Sequence, residues 1–134
     1  MADTILQINT TANPAFVTIP GNSGGALIWN ITPVQEGGDT YIASPNDFVR
    51  CDATLGNVGV VLPDAITCEG ESIAVKDWAG INSVNIKITT AGGFIDGSST
   101  LNFNTITSGN NFGMCTLVSD GSNWMVGGSY AGTP

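Results

Sequence analysis

Short runs of Val, Ile and Leu recur along the chain, separated by clusters of Gly, Asp, Asn and Ser. Val84, Ile86 and Ile88 alternate with Asn85, Lys87 and Thr89. Leu101, Phe103 and Thr105 alternate with Asn102 and Asn104 in the same way. A period of two marks a strand with one face buried. Here the outward positions are largely Asn, Thr and Ser. The pattern predicts strands over 3–9, 14–19, 25–31, 39–43, 47–53, 58–62, 72–77, 83–89, 93–96, 100–106, 113–118 and 123–127. Asp96-Gly97 and Asp120-Gly121 supply the positive φ that tight turns need. Gly24-Gly25, Gly37-Gly38 and Gly92-Gly93 punctuate the chain similarly. No segment has helical periodicity with caps, although Pro45-Asn46-Asp47-Phe48 could form one helical turn. Residues 20–25 and 33–38 read as loops, and residues 1–20 as an N-terminal arm or strand. Strands spaced about 8–12 residues apart suit a sandwich, barrel or prism. No fixed-period repeat points to a solenoid. The expected fold is one all-β domain over residues 1–134: an antiparallel β-sandwich, jelly-roll-like, or a β-prism.

Composition sharpens this picture. At 134 residues the chain fits one domain with a modest core. Its hydrophobic fraction of 42% argues against wholesale disorder. Charged residues make up only 10%, against roughly 25% in an average soluble protein. Low charge and Asn/Thr/Ser-rich strand faces suit contacts between subunits, because charges are depleted at the centres of interfaces. The net charge is -8, and Arg50, Lys76 and Lys87 are the three cations. Such a chain lacks the basic patch that phosphate backbones require, so neither nucleic acid nor an anionic membrane is an expected partner. No apolar run approaches the roughly 18 residues of a membrane span, and no signal peptide is visible at the N-terminus. Cys51, Cys68 and Cys115 are odd in number and sit among apolar or small residues. They read as reduced, mostly buried thiols, with one bridge such as Cys51–Cys68 as the alternative. The expected folding compartment is a reducing cytoplasm.

Reactive constellations are scarce. Gly21-Asn22-Ser23-Gly24-Gly25 resembles the nucleophile loop of chymotrypsin-like proteases, but the chain has no His to take the Ser23 proton. A Gly/Ser turn is the better reading. Asp120-Gly121-Ser122-Asn123 lacks the repeated acids and closing Glu of a calcium loop, and its simplest role is a hairpin turn. Asp64, Glu69 and Glu71, with Asp77 nearby, form an acidic cluster of the kind that serves glycoside hydrolysis, though an acidic chain produces such clusters by chance. No catalytic residue, metal site or cofactor is expected. Of Trp29, Trp78 and Trp124, the last opens an apolar strand and reads as core. Trp78 sits at a turn and is the candidate ligand-binding aromatic. Asn9-Thr10-Thr11 and Asn30-Ile31-Thr32 fit the glycosylation sequon and read as coincidence.

Residues 59–126 resemble a module of bacteriophage and large-virus fibre proteins. The segments that carry the resemblance are Val60 to Pro63, Ile73 to Asp77 with Gly80, Val84 to Ile88, Ile95 to Gly97, and Leu117 to Trp124. They cover about half the chain, and residues 1–58 carry none of it. The resemblance implies a β-rich, homotrimeric tail fibre, head fibre or spike domain, made in the host cytoplasm and located on the virion. Its implied partners are copies of itself, other virion proteins, and a host receptor or glycan. It assigns structural roles to Asp96, Gly97, Asp120, Gly121, Asn123 and Trp124, and no catalytic role to any residue. Two other roles remain open. One is a capsid decoration or fibre-anchoring protein; the other is a carbohydrate-binding, lectin-like module.

Overall fold

The computed structural model describes residues 28–80, 85–107 and 110–132. These residues form two mixed β-sheets over one shared core. In chain order the strands are β1 (Asn30–Ile31), β2 (Gln35–Glu36), β3 (Thr40–Ile42), β4 (Asp47–Asp52) and β5 (Val58–Leu62). They continue with β6 (Ser72–Asp77), β7 (Ile86–Thr90), β8 (Thr100–Asn102), β9 (Met114–Ser119) and β10 (Trp124–Tyr130). One short helix, α1 (Phe103–Thr107), follows β8. The larger sheet has the order β1-β4-β6-β9-β10, with β2 also beside β4. The smaller has the order β3-β5-β7-β8.

From β3 to β7 the chain changes sheet at every strand. Each strand then lies parallel to the one two before it, Phe48 beside Ala74 in the larger sheet and Val58 beside Ile86 in the smaller. Parallel neighbours need a crossover, and here the strand in the opposite sheet provides it. The winding stops when the chain reverses. Strand β8 runs antiparallel to β7, β9 antiparallel to β6, and β10 antiparallel to β9.

The protein is therefore all-β, but the expected antiparallel pairing is corrected: both sheets are mixed. A period of two reports which face is buried and is blind to strand direction. The winding also leaves no sequence repeat, because its turns are unequal: Asn30 stacks on Asp47, whereas Phe48 stacks on Ala74. Four local expectations change as well. Only residues 100–102 of the strand expected over 100–106 are extended, and α1 replaces the rest. Phe103 and Ile106, three apart on one helical face, both pack on the core. Over 93–96, Ile95 makes only single bridges, to Ser98 and Trp124, and Asp96 (φ 47°) turns the chain. No helical turn forms over 45–48, since Asn46 takes a φ of 69° and β4 starts at Asp47. Strand β2 lies in a segment expected to be loop. The strands expected over 3–9 and 14–19 lie outside the described residues.

The core fills the space between the sheets. Strand β4 contributes Val49 and Cys51, β6 Ile73 and Val75, and β9 Cys115 and Leu117. The smaller sheet answers with Val58, Val60, Leu62, Ile86 and Ile88. Burying each such aliphatic side chain contributes about 1.5–3 kcal/mol. Trp124 is fully buried beside them, and its Nε1–H donates to the Pro63 carbonyl at 2.9 Å. Its backbone accepts from Asp96 N (3.0 Å) and donates to Phe94 O (2.8 Å).

Two buried carboxylates hold opposite ends of the strands. Asp47 accepts from Asn30 Nδ2 (2.6 Å), the Tyr41 hydroxyl (2.7 Å) and Ser44 N (2.9 Å), so it joins β1 and β3 to β4. Asp77 accepts from Gly80 N and Phe112 N, both at 3.0 Å, and so ties two loops together. Neutral donors satisfy both groups, which is what makes their burial tolerable. Gly80 is required there: its φ is +73°, and a Cβ would lie 2.2 Å from the Phe112 ring.

Truncating Trp124 should remove the largest fully buried side chain among the described residues and leave the Pro63 carbonyl only its longer bond from the Thr90 hydroxyl, at 3.3 Å. Trp124→Ala is expected to cost about 3–5 kcal/mol in urea unfolding. Asp120→Ala, on an exposed turn, should cost much less. Equal losses for the two would contradict this packing.

Candidate functional site

The outer face of the smaller sheet carries a cleft of about 530 Å³. Its floor is one row across all four strands: Thr40 beside Gly59, Gly59 beside Lys87, and Lys87 beside Asn102. Val58, Val60, Ile86 and Ile88 point into the core, so alternation turns Gly59 and Lys87 outward. With no side chain, Gly59 leaves a dip between Thr40 and Lys87. Asn57 and Asn85 precede β5 and β7 and form one wall. Asn104, from the first turn of α1, and Asp39, before β3, complete it.

Among the described residues, the side chains of Asn57, Asn85, Lys87, Asn102 and Asn104 make no hydrogen bond or ion pair. The other two cations of the chain are engaged. Arg50 donates through Nε (2.9 Å) and Nη2 (2.6 Å) to the Thr32 carbonyl and lies 4.9 Å from the centre of the Trp78 ring. Lys76 donates to the Phe112 carbonyl and lies 5.7 Å from its ring. Four amides and one ammonium therefore face the cleft without partners among the described residues. Together they offer donors and acceptors to a polar ligand and no nucleophile.

The structure places Trp78 away from this cleft. Trp78 is 49% exposed, follows the end of β6 in the larger sheet, and packs under the Arg50 guanidinium. Asp120 closes the β9–β10 hairpin: its Oδ1 accepts from Ser122 N (2.9 Å) and Asn123 N (2.8 Å). Those bonds hold its carboxyl below the usual carboxylate range. Gly121 takes the positive φ, +94°. Asn123 Oδ1 accepts from Phe94 N at 2.9 Å, and Asp96 Oδ1 accepts from Val126 N at 3.3 Å. Gly97 completes the Asp96 turn at φ +84°. These residues thus form one set of turns around Trp124. Asp64 caps the short 3-10 turn Ala65–Thr67 through Ile66 N, and Glu69 lies against Gly121. Among the described residues no three His, Cys, Asp or Glu side chains come together to hold a metal ion. The Ser23 loop lies outside the described residues. Asn30, in the second sequon, has its amide bonded to Asp47.

A scan against protein-family models and a search of the curated proteins find no match to this chain. The fibre resemblance therefore rests on its own segments. In space, Val60 to Pro63, Ile95 to Gly97 and Leu117 to Trp124 meet at the Trp124 indole and backbone, beside Ile73 to Asp77 and across from Ile86 to Ile88.

Sequence reasoning missed the cleft. The outward Asn of two alternating strands was the available signal, but nothing in one sequence says that those strands are neighbours.

Burial makes the core thiols inert. It pushes Cys51 and Cys115 up to about 12, with the Asp77 charge adding to the effect at Cys51. Burial, then the hydrogen bond from its hydroxyl to Asp47, pushes the Tyr41 phenol up to about 12. All three folded values lie above the unfolded ones, so their stabilisation is complete below about pH 9 and is lost as pH rises towards 12. Native protein at pH 8 should leave Cys51 and Cys115 unlabelled by a thiol reagent, while denatured protein exposes both. With Tyr130→Phe in place, phenolate absorbance should rise only near pH 12, and Asp47→Asn should bring the Tyr41 rise to lower pH. Rapid labelling of native Cys51 or Cys115 would contradict the burial.

Proposed function

We propose that this chain is a non-enzymatic virion fibre or spike domain that assembles as a homotrimer and meets a host surface through the small-sheet cleft. The observation that carries this reading is the cleft itself: four amides and a lysine displayed on the sheet with no partner among the described residues. The convergence of the fibre-like segments on Trp124 supports a scaffold role for them.

The edge of β10 supports assembly. Past Val126, where Asp96 reaches its N–H, the strand runs through Gly127, Gly128, Ser129 and Tyr130, all exposed and uncharged. Proteins ordinarily protect such an edge with charge, proline or a covering element. Strand β10 ends the larger sheet on one side, and β1 and β2 end it on the other. Contact from the β10 edge of one copy to the β1–β2 edge of the next is head-to-tail, a geometry that closes as a three-membered ring when each copy is turned by a third of a revolution from the last. Three copies then present three clefts, and modest single-site affinity becomes avidity.

Light scattering at micromolar concentration tests the assembly. The expected species has three times the 13.7 kDa chain mass. A stable folded monomer would contradict the fibre reading and favour a decoration protein that orders on the capsid.

A further inference from the structure

We propose that the small-sheet cleft binds a saccharide bearing a carboxylate, a uronic or sialic acid unit, and that Lys87 pairs with that carboxylate. This names the ligand class for the contact surface proposed above and rests on that surface, not on the trimer.

The argument begins with the cations. The chain has three against eleven acids. Arg50 and Lys76 are used internally, and Lys87 pairs with none of the acids among the described residues. An ammonium left unpaired in so acidic a chain, at the centre of a cleft, is available to a carboxylate from outside. The walls fit a sugar. Each Asn amide offers an acceptor and two donors, and each sugar hydroxyl both donates and accepts. Asn85 and Asn102 flank Lys87, one on its own chain segment and one on the neighbouring strand. The volume, about 530 Å³, falls in the range of small-molecule sites and admits one or two sugar rings.

The cleft also excludes other ligands. Its lining contains no aromatic ring, so a neutral sugar has no face to stack on. One lysine among so many acids is too little for a polyphosphate or nucleic acid. Asp39 keeps one oxygen on Glu36 N at 2.7 Å and leaves a negative charge at the cleft's end. That charge disfavours a second carboxylate and orients the first towards Lys87.

The test is an amide chemical-shift titration of the full chain with sialyllactose and with a glucuronate disaccharide. Lactose and inorganic phosphate serve as comparison probes. Shifts should concentrate at residues 57–59, 85–87 and 102–104, with millimolar affinity that weakens as salt is added. Both acidic sugars should bind more tightly than lactose. Lys87→Gln should remove about two- to fivefold of the affinity, the effect of one exposed ion pair. Gly59→Val should abolish binding by filling the dip. The strand tolerates it, because a Cβ there meets only ordinary contacts, the nearest 3.4 Å away on Thr40 Oγ1. An unchanged melting curve confirms that point, and Asn85→Ala provides a second variant if Gly59→Val unfolds. Three outcomes overturn the proposal: equal binding of lactose and sialyllactose, indifference to Lys87→Gln, or phosphate reproducing the sugar shifts at equal strength. Absence of cleft shifts with either acidic sugar at about 50 mM overturns it too. A trimer that ignores acidic sugars would sink this ligand class and leave the assembly reading standing. A monomer that binds them would do the reverse.

Discussion

The buried indole of Trp124 is the contact on which the other elements depend. It fills the space between the sheets, and its N–H satisfies the carbonyl of Pro63, at the end of the small-sheet strand β5. Its backbone engages Phe94 and Asp96, which sets the turn between β7 and β8. Asn123, one residue earlier, holds Phe94 N from its side chain. A single strand start thus fixes the hairpin of the larger sheet against two segments of the smaller. At the same end Ser119 of β9, opposite Trp124, adds a second directional link, its hydroxyl donating to the Ala65 carbonyl at 2.7 Å. Asp47 supplies a further directional link, since it receives the Tyr41 hydroxyl of β3 and the Asn30 amide of β1. Asp77 closes the loops at the far end of β6.

Much of this was legible in the sequence, and the physical reasons separate what was from what was not. Strands β5 and β6 sit where the apolar runs put them, because burial on one or both faces leaves a local mark. Asp120-Gly121 and Asp96-Gly97 read as turns because positive φ has few side chains that tolerate it. Strand direction was illegible: Val58 and Ile86 would look the same paired either way. Winding around the core also escaped, since the connections between stacked strands differ in length and leave no period. Helix α1 was hidden because Leu101, Phe103 and Thr105 alternate as a strand does. Tertiary packing of Phe103 and Ile106 decided the outcome. The cleft needed three non-local pairings, Thr40–Gly59, Gly59–Lys87 and Lys87–Asn102, none of which a single sequence announces. Trp78 drew attention as an exposed aromatic, yet its ring serves Arg50.

The two sheets present different outer surfaces, and that difference underlies the functional reading. The smaller sheet is lined with amides that make no hydrogen bond among the described residues. The larger sheet ends in a strand whose stretch past Val126 is uncharged, and its outer edge has no strand beside it among the described residues. A scaffold that leaves side-chain hydrogen-bonding capacity on one face and backbone capacity on another edge is organised for two kinds of contact. On the function proposed above, the first would meet a hydroxyl-rich ligand and the second a copy of the same chain. The buried thiols and the two buried carboxylates, Asp47 and Asp77, belong to the interior.

Hydrogen–deuterium exchange across a concentration series tests this division most directly. As the chain associates, added amide protection should appear at residues 127–130 and at the β1–β2 edge. Residues 57–59, 85–87 and 102–104 should exchange as they do in dilute protein. Protection that instead accumulates across the amide-lined cleft, with β10 unchanged, would show that the cleft is the assembly surface and contradict the separation of roles.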